Sequence, residues 1–132
     1  MKPNFSGEYA LDRPSSVLST SAAAIVGAMM RIEHDDPQFR CSARFASVAD
    51  AVEFKFERFT DGREILASAH EGSRCYWEGD ALISEDRMGL GEAAIVMRWQ
   101  YELINDGRRL RATERIRGAG RDQDNVWEFE RE

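Results

Sequence analysis

The sequence predicts an all-β fold: an antiparallel up-and-down β-barrel of about 8–10 strands, with a short helical or irregular segment after the first strand. Three observations predict it. From about residue 26 onward apolar and polar residues alternate, turn signals recur about every 8–12 residues, and no long helical period follows residue 30. The 132 residues suffice to bury a core, and we expect a single domain that spans residues 1–132.

The chain begins with a strand pattern in the stretch FSGEYALD, residues 5–12, where every second residue is apolar or Gly. Residues 15–25 differ, because apolar residues recur there at helical spacing and Ser15 or Ser16 could cap a helix. Several Ser and Thr residues weaken this helical pattern. We therefore expect a short helix or an irregular segment, followed by a strand from about Val26.

Asp106-Gly107 is the strongest turn signal, since a two-residue hairpin turn needs positive φ at both central residues. It pairs Leu103 with Leu110 and Trp99 with Glu114 on one face of the hairpin. That face is apolar and the opposite face is polar, so the register is self-consistent. Glu114 is the exception, because its carboxylate falls on the apolar face.

Three further turn signals, at Asp35-Asp36, Asp61-Gly62 and Glu78-Gly79, predict three more hairpins. Each sets mainly apolar residues opposite each other on the inner face. The predicted inward pairs are Ile32–Phe39, Met30–Cys41, Ala28–Ala43 and Val26–Phe45 in the first hairpin, Phe56–Ala67, Phe54–Ala69 and Arg58–Ile65 in the second, and Cys75–Leu82 in the third. The third turn also directs Trp77, Ser84 and Asp86 inward.

Composition narrows the function classes. The formal net charge of −6, from 24 acids and 18 bases, argues against general nucleic-acid binding. No apolar run approaches the roughly 20 residues of a membrane span, and the start resembles no signal peptide, so we expect a cytoplasmic protein. Two Cys in such a chain are expected to be free thiols.

The first and last strands carry a resemblance. Phe5-Ser6-Gly7-Glu8-Tyr9, a short cover, a run of hairpins and an aromatic last strand together resemble the calycin superfamily, which includes lipocalins and fatty-acid-binding proteins. The opening looks like the Gly-x-Trp first strand of that superfamily, with Tyr9 at the Trp position. Short bacterial lipocalin-like proteins with a Phe-Ser-Gly-x-aromatic start resemble it most.

The resemblance implies that Gly7 lets the strand bend, that Tyr9 closes one end of the barrel, and that Arg131 packs across it. Two departures accompany it. Trp127-Glu128-Phe129 stands where fatty-acid-binding proteins commonly have an Arg-x-Tyr pair that holds a carboxylate. The Thr-Asp-Tyr-type turn of lipocalins is absent.

The predicted inner face is rich in small residues, which leaves two interpretations open. Small side chains could leave a ligand cavity, or the large aromatic residues could fill the same space. The small inward residues are Ala28, Ala43, Ala67, Ala69, Ala93, Ala112, Cys41 and Cys75. The candidate ligand-binding residues are Arg58, Ser84, Asp86, Met97, Trp99, Tyr101, Glu114, Trp127 and Phe129.

The inward polar residues among these could orient a mostly apolar ligand, or lie in water at the rims, or pair with each other, for example Glu114 with Arg131. Val126, Tyr76 and Ile83 are predicted to be outward apolar residues, which would mark a dimer face if they were contiguous.

Other motifs point to ordinary structural roles. The Arg residues between 108 and 121 are interpreted as a ladder of ion pairs with Glu102, Glu128 and Glu130 rather than an anion site. His34, beside a turn, and His70, facing outward, do not have metal-ligand spacing, so no metal and no cofactor are predicted. No catalytic motif is found, although Glu114 with Tyr101 or Asp86 could do acid–base work.

The leading interpretation is a binding protein for a small, mainly apolar ligand inside the barrel. The alternative is a filled barrel that binds no ligand and acts as a structural or interaction module, as a homodimer. An enzyme is the third interpretation, and it ranks last because the sequence shows no catalytic geometry.

Overall fold

A computed structural model describes residues 2–132 as one antiparallel sheet of ten strands. The strands are β1 (Gly7–Leu11), β2 (Ile25–Asp35), β3 (Gln38–Ser47), β4 (Ala51–Phe59), β5 (Asp61–Ser68), β6 (Glu71–Glu78), β7 (Ala81–Met88), β8 (Ile95–Ile104), β9 (Arg109–Arg117) and β10 (Gln123–Arg131). Their spatial order is β4-β3-β2-β1-β10-β9-β8-β7-β6-β5. The sheet curls into a nearly closed barrel, which confirms the predicted fold class.

The cover after the first strand is short, as predicted. A 3-10 turn at Arg13–Ser15 follows β1, and turn structure leads into β2 at Ile25. Between them Val17 forms an isolated antiparallel bridge with Val126 of β10. Residues 17–24, called the cover segment below, therefore lie against the last strand. No helix in residues 2–132 is long and apolar enough to cross a membrane.

One end of the barrel is closed around Tyr9. Its side chain is fully buried, and its hydroxyl donates to the Phe5 carbonyl oxygen at 2.6 Å. The Arg131 guanidinium lies over the Tyr9 ring, 5.8 Å from the ring centroid. Gly7 has φ +152°, and a Cβ there would lie 3.1 Å from Arg131 Nε. The positions that the resemblance implied for Tyr9 and Arg131 are confirmed.

Aromatic residues fill the closed end. Phe5 stacks on Trp77 at 6.0 Å between ring centroids, and Phe39 meets Phe5 edge to face. His34 lies beside the β2–β3 turn, as predicted, and is buried among these rings. The Phe5 amide donates to His34 Nδ1 at 3.1 Å, so the imidazole proton belongs on Nε2, which faces Asp36 Oδ1 at 2.9 Å.

The register of the β8–β9 hairpin is as predicted, with Leu103 opposite Leu110 and Trp99 opposite Glu114. Two other hairpins slip by two residues and keep their predicted faces, except at Val26, which is 54% exposed beside a register shift between Ile25 and Gly27. Ile32 pairs with Cys41, and Trp77 pairs with Leu82, so the turns lie at Asp36-Pro37 and Gly79-Asp80. Proline has no amide to donate to a ladder, which explains why Pro37 lies in the turn. The predicted pair Cys75–Leu82 is therefore wrong, as are all four pairs predicted in the first hairpin, Ile32–Phe39, Met30–Cys41, Ala28–Ala43 and Val26–Phe45.

The predicted hairpin at Asp61-Gly62 is also wrong. The chain reverses at Thr60, whose amide donates to the Pro37 carbonyl at 2.8 Å and whose hydroxyl donates to Asp36 at 2.6 Å. Thr60 is thus attached to the β2–β3 turn, and β4 and β5 separate as the two edges of the sheet. The pairs Phe56–Ala67, Phe54–Ala69 and Arg58–Ile65 do not form, and Ala67 and Ala69 are exposed.

Several smaller predictions are settled by burial. Ala93, predicted to face inward, is exposed in a 3-10 turn. Ile83, predicted to face outward, is nevertheless fully buried between its cross-strand partners Tyr76 and Gln100. Cys41 and Cys75 are free and buried, and burial raises the pKa of each thiol to about 12.

The arginine-rich strand forms the expected ion pairs with Glu128 and Glu130, whereas Glu102 accepts a hydrogen bond from Gln100 and forms no ion pair within residues 2–132. Arg109 lies 3.4 Å from Glu130 and 2.9 Å from Asp12, and Arg111 lies 3.9 Å from Glu128. Asp12 is a partner that the register alone did not predict.

The closure makes a stability prediction. Arg131 donates to the carbonyl oxygens of Asn4, Ser6 and Gly107 at 3.1, 2.5 and 3.1 Å. Arg131→Ala should lower the free energy of unfolding by about 1.5–3 kcal/mol, because charge-assisted bonds to carbonyls at the barrel end are lost. Chemical denaturation measures this change.

Arg44→Ala is the matched control. Arg44 forms an exposed ion pair with Glu53 at 3.7 Å, so its loss should cost less than about 1 kcal/mol. Equal effects of the two substitutions would contradict the role given to Arg131.

Candidate ligand cavity

A cavity of about 390 Å³ lies at the end of the barrel opposite Tyr9, next to the cover segment. Its wall is mainly apolar and includes four aromatic rings. The lining residues are Ala22, Ile25, Phe45, Phe54, Met97, Trp99, Glu114, Gln123, Asn125 and Trp127. Glu114 is the one charged residue in this lining.

The strand registers explain how these side chains meet. Glu114 of β9 lies between Trp99 of β8 and Asn125 of β10, and all three share the inner face. Phe45 of β3 and Phe54 of β4 form the facing wall, with ring centroids 5.4 Å apart and planes inclined by 11°. Phe45 also meets Trp127 edge to face at 5.0 Å. The two walls thus come into contact through these rings.

Glu114 is buried but hydrogen-bonded. The residue is only 8% exposed. Its Oε1 accepts hydrogen bonds from Asn125 Nδ2 at 2.9 Å and from Trp127 Nε1 at 3.2 Å. Desolvation raises the pKa of the Glu114 carboxyl, and the two hydrogen bonds partly oppose that rise. The suggested pairing with Arg131 is wrong, because Arg131 binds backbone carbonyls at the closed end.

Asn125 connects the carboxylate to the cover segment. Asn125 is 1% exposed, and its Oδ1 accepts from the Ser19 amide at 2.7 Å. Its Nδ2 donates both to Glu114 and to Gln123 Oε1, the latter at 3.2 Å. The Ser19 hydroxyl donates to the same Gln123 oxygen at 3.0 Å. A continuous hydrogen-bonded chain therefore joins Ser19 of the cover to the carboxylate in the cavity.

Of the nine candidate ligand-binding residues, four line this cavity: Met97, Trp99, Glu114 and Trp127. Ser84, Tyr101 and Phe129 are buried deeper in the core. Burial raises the pKa of Tyr101 well above its ordinary value. The structure does not place these three in the cavity wall.

Arg58 and Asp86 form a separate interior ion pair, with Arg58 Nη2 2.9 Å from Asp86 Oδ1. The pair spans the interior from β4 to β7, and both side chains are largely buried. Within residues 2–132, Arg58 Nε has no hydrogen-bond partner. Neither residue lines the cavity, so their grouping with Glu114 in one site is not supported by position.

Sequence reasoning missed part of the wall. Gln123 and Asn125 share the inward parity of Trp127, which would have indicated them had the last strand's register been fixed. Ala22 belonged to the helical pattern of the cover. In residues 2–132 no group of three or more His, Cys, Asp or Glu is placed to hold a metal ion.

The hydrogen bonds of Glu114 make a second stability prediction. Glu114→Leu should lower the free energy of unfolding by about 1–3 kcal/mol, because Asn125 and Trp127 lose their shared acceptor. Glu114→Gln keeps an acceptor oxygen and should cost clearly less. Denaturation of both variants at neutral pH measures the difference, and a Gln variant as unstable as the Leu variant would contradict it.

The raised pKa of Glu114 predicts a pH dependence. Folding favours the protonated carboxyl, so this group's contribution is most favourable below its ordinary pKa and is lost as pH rises through its raised folded pKa. The wild type should therefore lose stability relative to Glu114→Gln over that interval. The exposed Glu130→Gln serves as control, and parallel pH profiles for wild type and Glu114→Gln would refute the prediction.

No family model matches the sequence, and no curated protein matches it in sequence. Solved structures do match the fold. The wild-type fluorescent protein UnaG matches with a TM-score of 0.64 and 13% identity, over 97% of this chain and 97% of that one. A secretory abundant heat soluble protein from Ramazzottius varieornatus matches with a TM-score of 0.65 and 9% identity, over 99% and 98%.

The fatty-acid-binding protein from Manduca sexta matches with a TM-score of 0.54 and 14% identity, over 96% of this chain and 98% of that one. Identities this low show the fold and nothing finer. The chain therefore has the calycin-like β-barrel fold that its first and last strands predicted.

Proposed function

We propose that the protein binds one small, mainly apolar molecule in the cavity between the cover segment and the aromatic core. The observation that carries this proposal is the cavity of about 390 Å³, lined by apolar side chains around one buried carboxylate. Ligand sites are typically concave, mostly apolar and about 300–1,000 Å³, with a few polar groups that fix orientation.

The distribution of packing supports this assignment. Rings fill the closed end, where Phe5, Phe39 and Trp77 contact one another, whereas the cavity end keeps open volume between Phe54 and Trp99. An apolar molecule there would cover surface that is now in contact with water, at roughly 25 cal/mol for each Å² removed from water. Binding would thus complete the core at the end where the protein leaves it incomplete.

We expect a ligand to enter the cavity along the separated edges of the sheet. β4 and β5 share no hydrogen-bonded ladder, and Phe54 on β4 is 38% exposed although it lines the cavity. A ligand that passes this edge would have to displace side chains only. The cover segment would need to break its bonds to Asn125 and Gln123 to open the second route.

The named fatty-acid-binding proteins among the similar structures support a binding role for this fold, but the ligand clamp differs here. Trp127 occupies the last-strand position discussed above, and its indole N–H is already donated to Glu114. The filled-barrel module, which would act through its outer face, is the competing hypothesis and predicts no saturable binding of apolar molecules.

Binding of a neutral environment-sensitive dye, Nile red, tests the proposal. The wild type should bind it saturably, with about one site per chain. Met97→Trp should weaken binding about tenfold or more, because the larger ring occupies cavity volume, which corresponds to about 1.4 kcal/mol or more.

Val96→Trp is the matched control, since Val96 neighbours Met97 but lies 39% exposed on the outer face. It should leave dye binding unchanged, and native mass spectrometry of each variant should show whether a dimer is present. No saturable binding by the wild type, or equal loss in both variants, would replace the proposal with the filled-barrel hypothesis.

A further inference from the structure

We propose that this cavity selects a cationic ligand, an apolar molecule that carries an amine or quaternary ammonium group, and that Glu114 supplies the counter-charge. The inference rests on the proposed function, because it names the class of ligand for the same cavity. Such a ligand has the opposite charge to a carboxylate ligand, which would need a cationic clamp.

Within the described part of the chain, the charge of Glu114 has no counter-charge in contact with it. Its two hydrogen-bond donors, Asn125 and Trp127, are neutral, and both donate to Oε1. Among residues 2–132 no side chain donates to Oε2, and no cation lies within salt-bridge distance of the carboxylate. A buried carboxylate is stabilised most by an opposite charge in contact with it. A ligand ammonium at Oε2 would supply that charge.

The wall of the cavity around Glu114 is aromatic. Phe45, Phe54, Trp99 and Trp127 line the same cavity as Glu114. Aromatic faces attract cations, and Trp does so best. Rings of this kind around one carboxylate favour an ammonium group over a neutral polar group of similar size, because both the carboxylate and the rings gain from the positive charge.

Within the described residues, the cavity lining offers no cationic partner for an anion. No Lys or Arg is among the lining residues of the cavity. The two interior guanidinium groups are already engaged, Arg58 with Asp86 at 2.9 Å and Arg131 with backbone carbonyls at the far end. A ligand carboxylate would therefore lie near Glu114 without a counter-ion, and like charges at close range repel.

The side chains that face Glu114 add no net charge, so the pH dependence of ligand binding should reflect the titration of Glu114. On β8 it faces Trp99, with Tyr101 next along the strand, and on β10 it faces Asn125 and Trp127. The cover segment, residues 17–24, contains no charged residue. The opposite charges of the Arg58–Asp86 ion pair largely cancel at Glu114. Binding of a permanent cation should thus strengthen as pH rises through the pKa of Glu114.

The test compares three ligands with one alkyl chain: decyltrimethylammonium, decanol and decanoate, each titrated below micelle formation while tryptophan fluorescence is recorded. At neutral pH the ammonium compound should bind about tenfold or more tightly than decanol, and decanoate should bind more weakly than decanol. Glu114→Gln should abolish the preference for the ammonium compound while decanol binding is retained.

Two controls separate cavity binding from attraction to an acidic surface. Glu130→Gln removes one exposed carboxylate and should leave all three affinities unchanged, whereas Met97→Trp should weaken all three. If Nile red and decanol bind but decanoate binds as tightly as the ammonium compound, the charge preference is wrong and the proposed function stands. A preference that survives in Glu114→Gln also overturns it, and failure of all ligands including Nile red overturns both.

Discussion

Closure of the barrel depends on Arg131. The strand order joins β2–β4 to β5–β10 only through β1, which has five residues. Arg131 extends that short junction, because its guanidinium binds carbonyls of the N-terminal segment and of the β8–β9 turn while it covers the Tyr9 ring. One side chain thus connects both ends of the chain and a distant hairpin. Without these bonds the backbone ladder between the two groups of strands would depend on β1 alone, although side chains such as Phe45 and Trp127 still meet across the interior.

This closure allows the opposite end to be built differently. At the closed end Phe5, Tyr9 and Phe39 are fully buried and the packing resembles an ordinary core. At the cavity end a carboxylate is buried beside open volume, and β4 and β5 are free to diverge. Both features cost stability, since a desolvated charge and an unfilled space are each unfavourable. The densely packed aromatic end offsets that cost in stability. One end of the barrel therefore stabilises the fold, while the other end keeps open volume.

The sequence predicts most of this architecture because alternation determines which face a residue occupies. The β8–β9 register was correct since Asp106-Gly107 leaves one position for the turn, and Glu114 was accordingly placed inward. The registers around Pro37 and Gly79 slipped by two residues, which alternation cannot detect because the faces stay the same. The β4–β5 pairing failed for another reason: Thr60 is held by Asp36 and Pro37, contacts between distant residues that no local pattern records. The contribution of Ala22 to the cavity wall was missed for the same reason, since only the folded chain brings the cover segment next to the cavity.

The chain from Glu114 through Asn125 to Ser19 links the cavity's charge to its cover. Asn125 uses its amide group in both directions, as donor to Glu114 and as acceptor from the Ser19 amide. A cation at Glu114 Oε2 would leave the bond from Asn125 Nδ2 to Oε1 in place, and the bond from Ser19 would remain available to hold the cover. The buried carboxylate therefore has two physical consequences: it sets which charge the cavity accepts, and it orients the amide that holds the cover segment in place. A substitution that keeps an acceptor at position 114 separates them, because the orientation of Asn125 survives while the charge is lost.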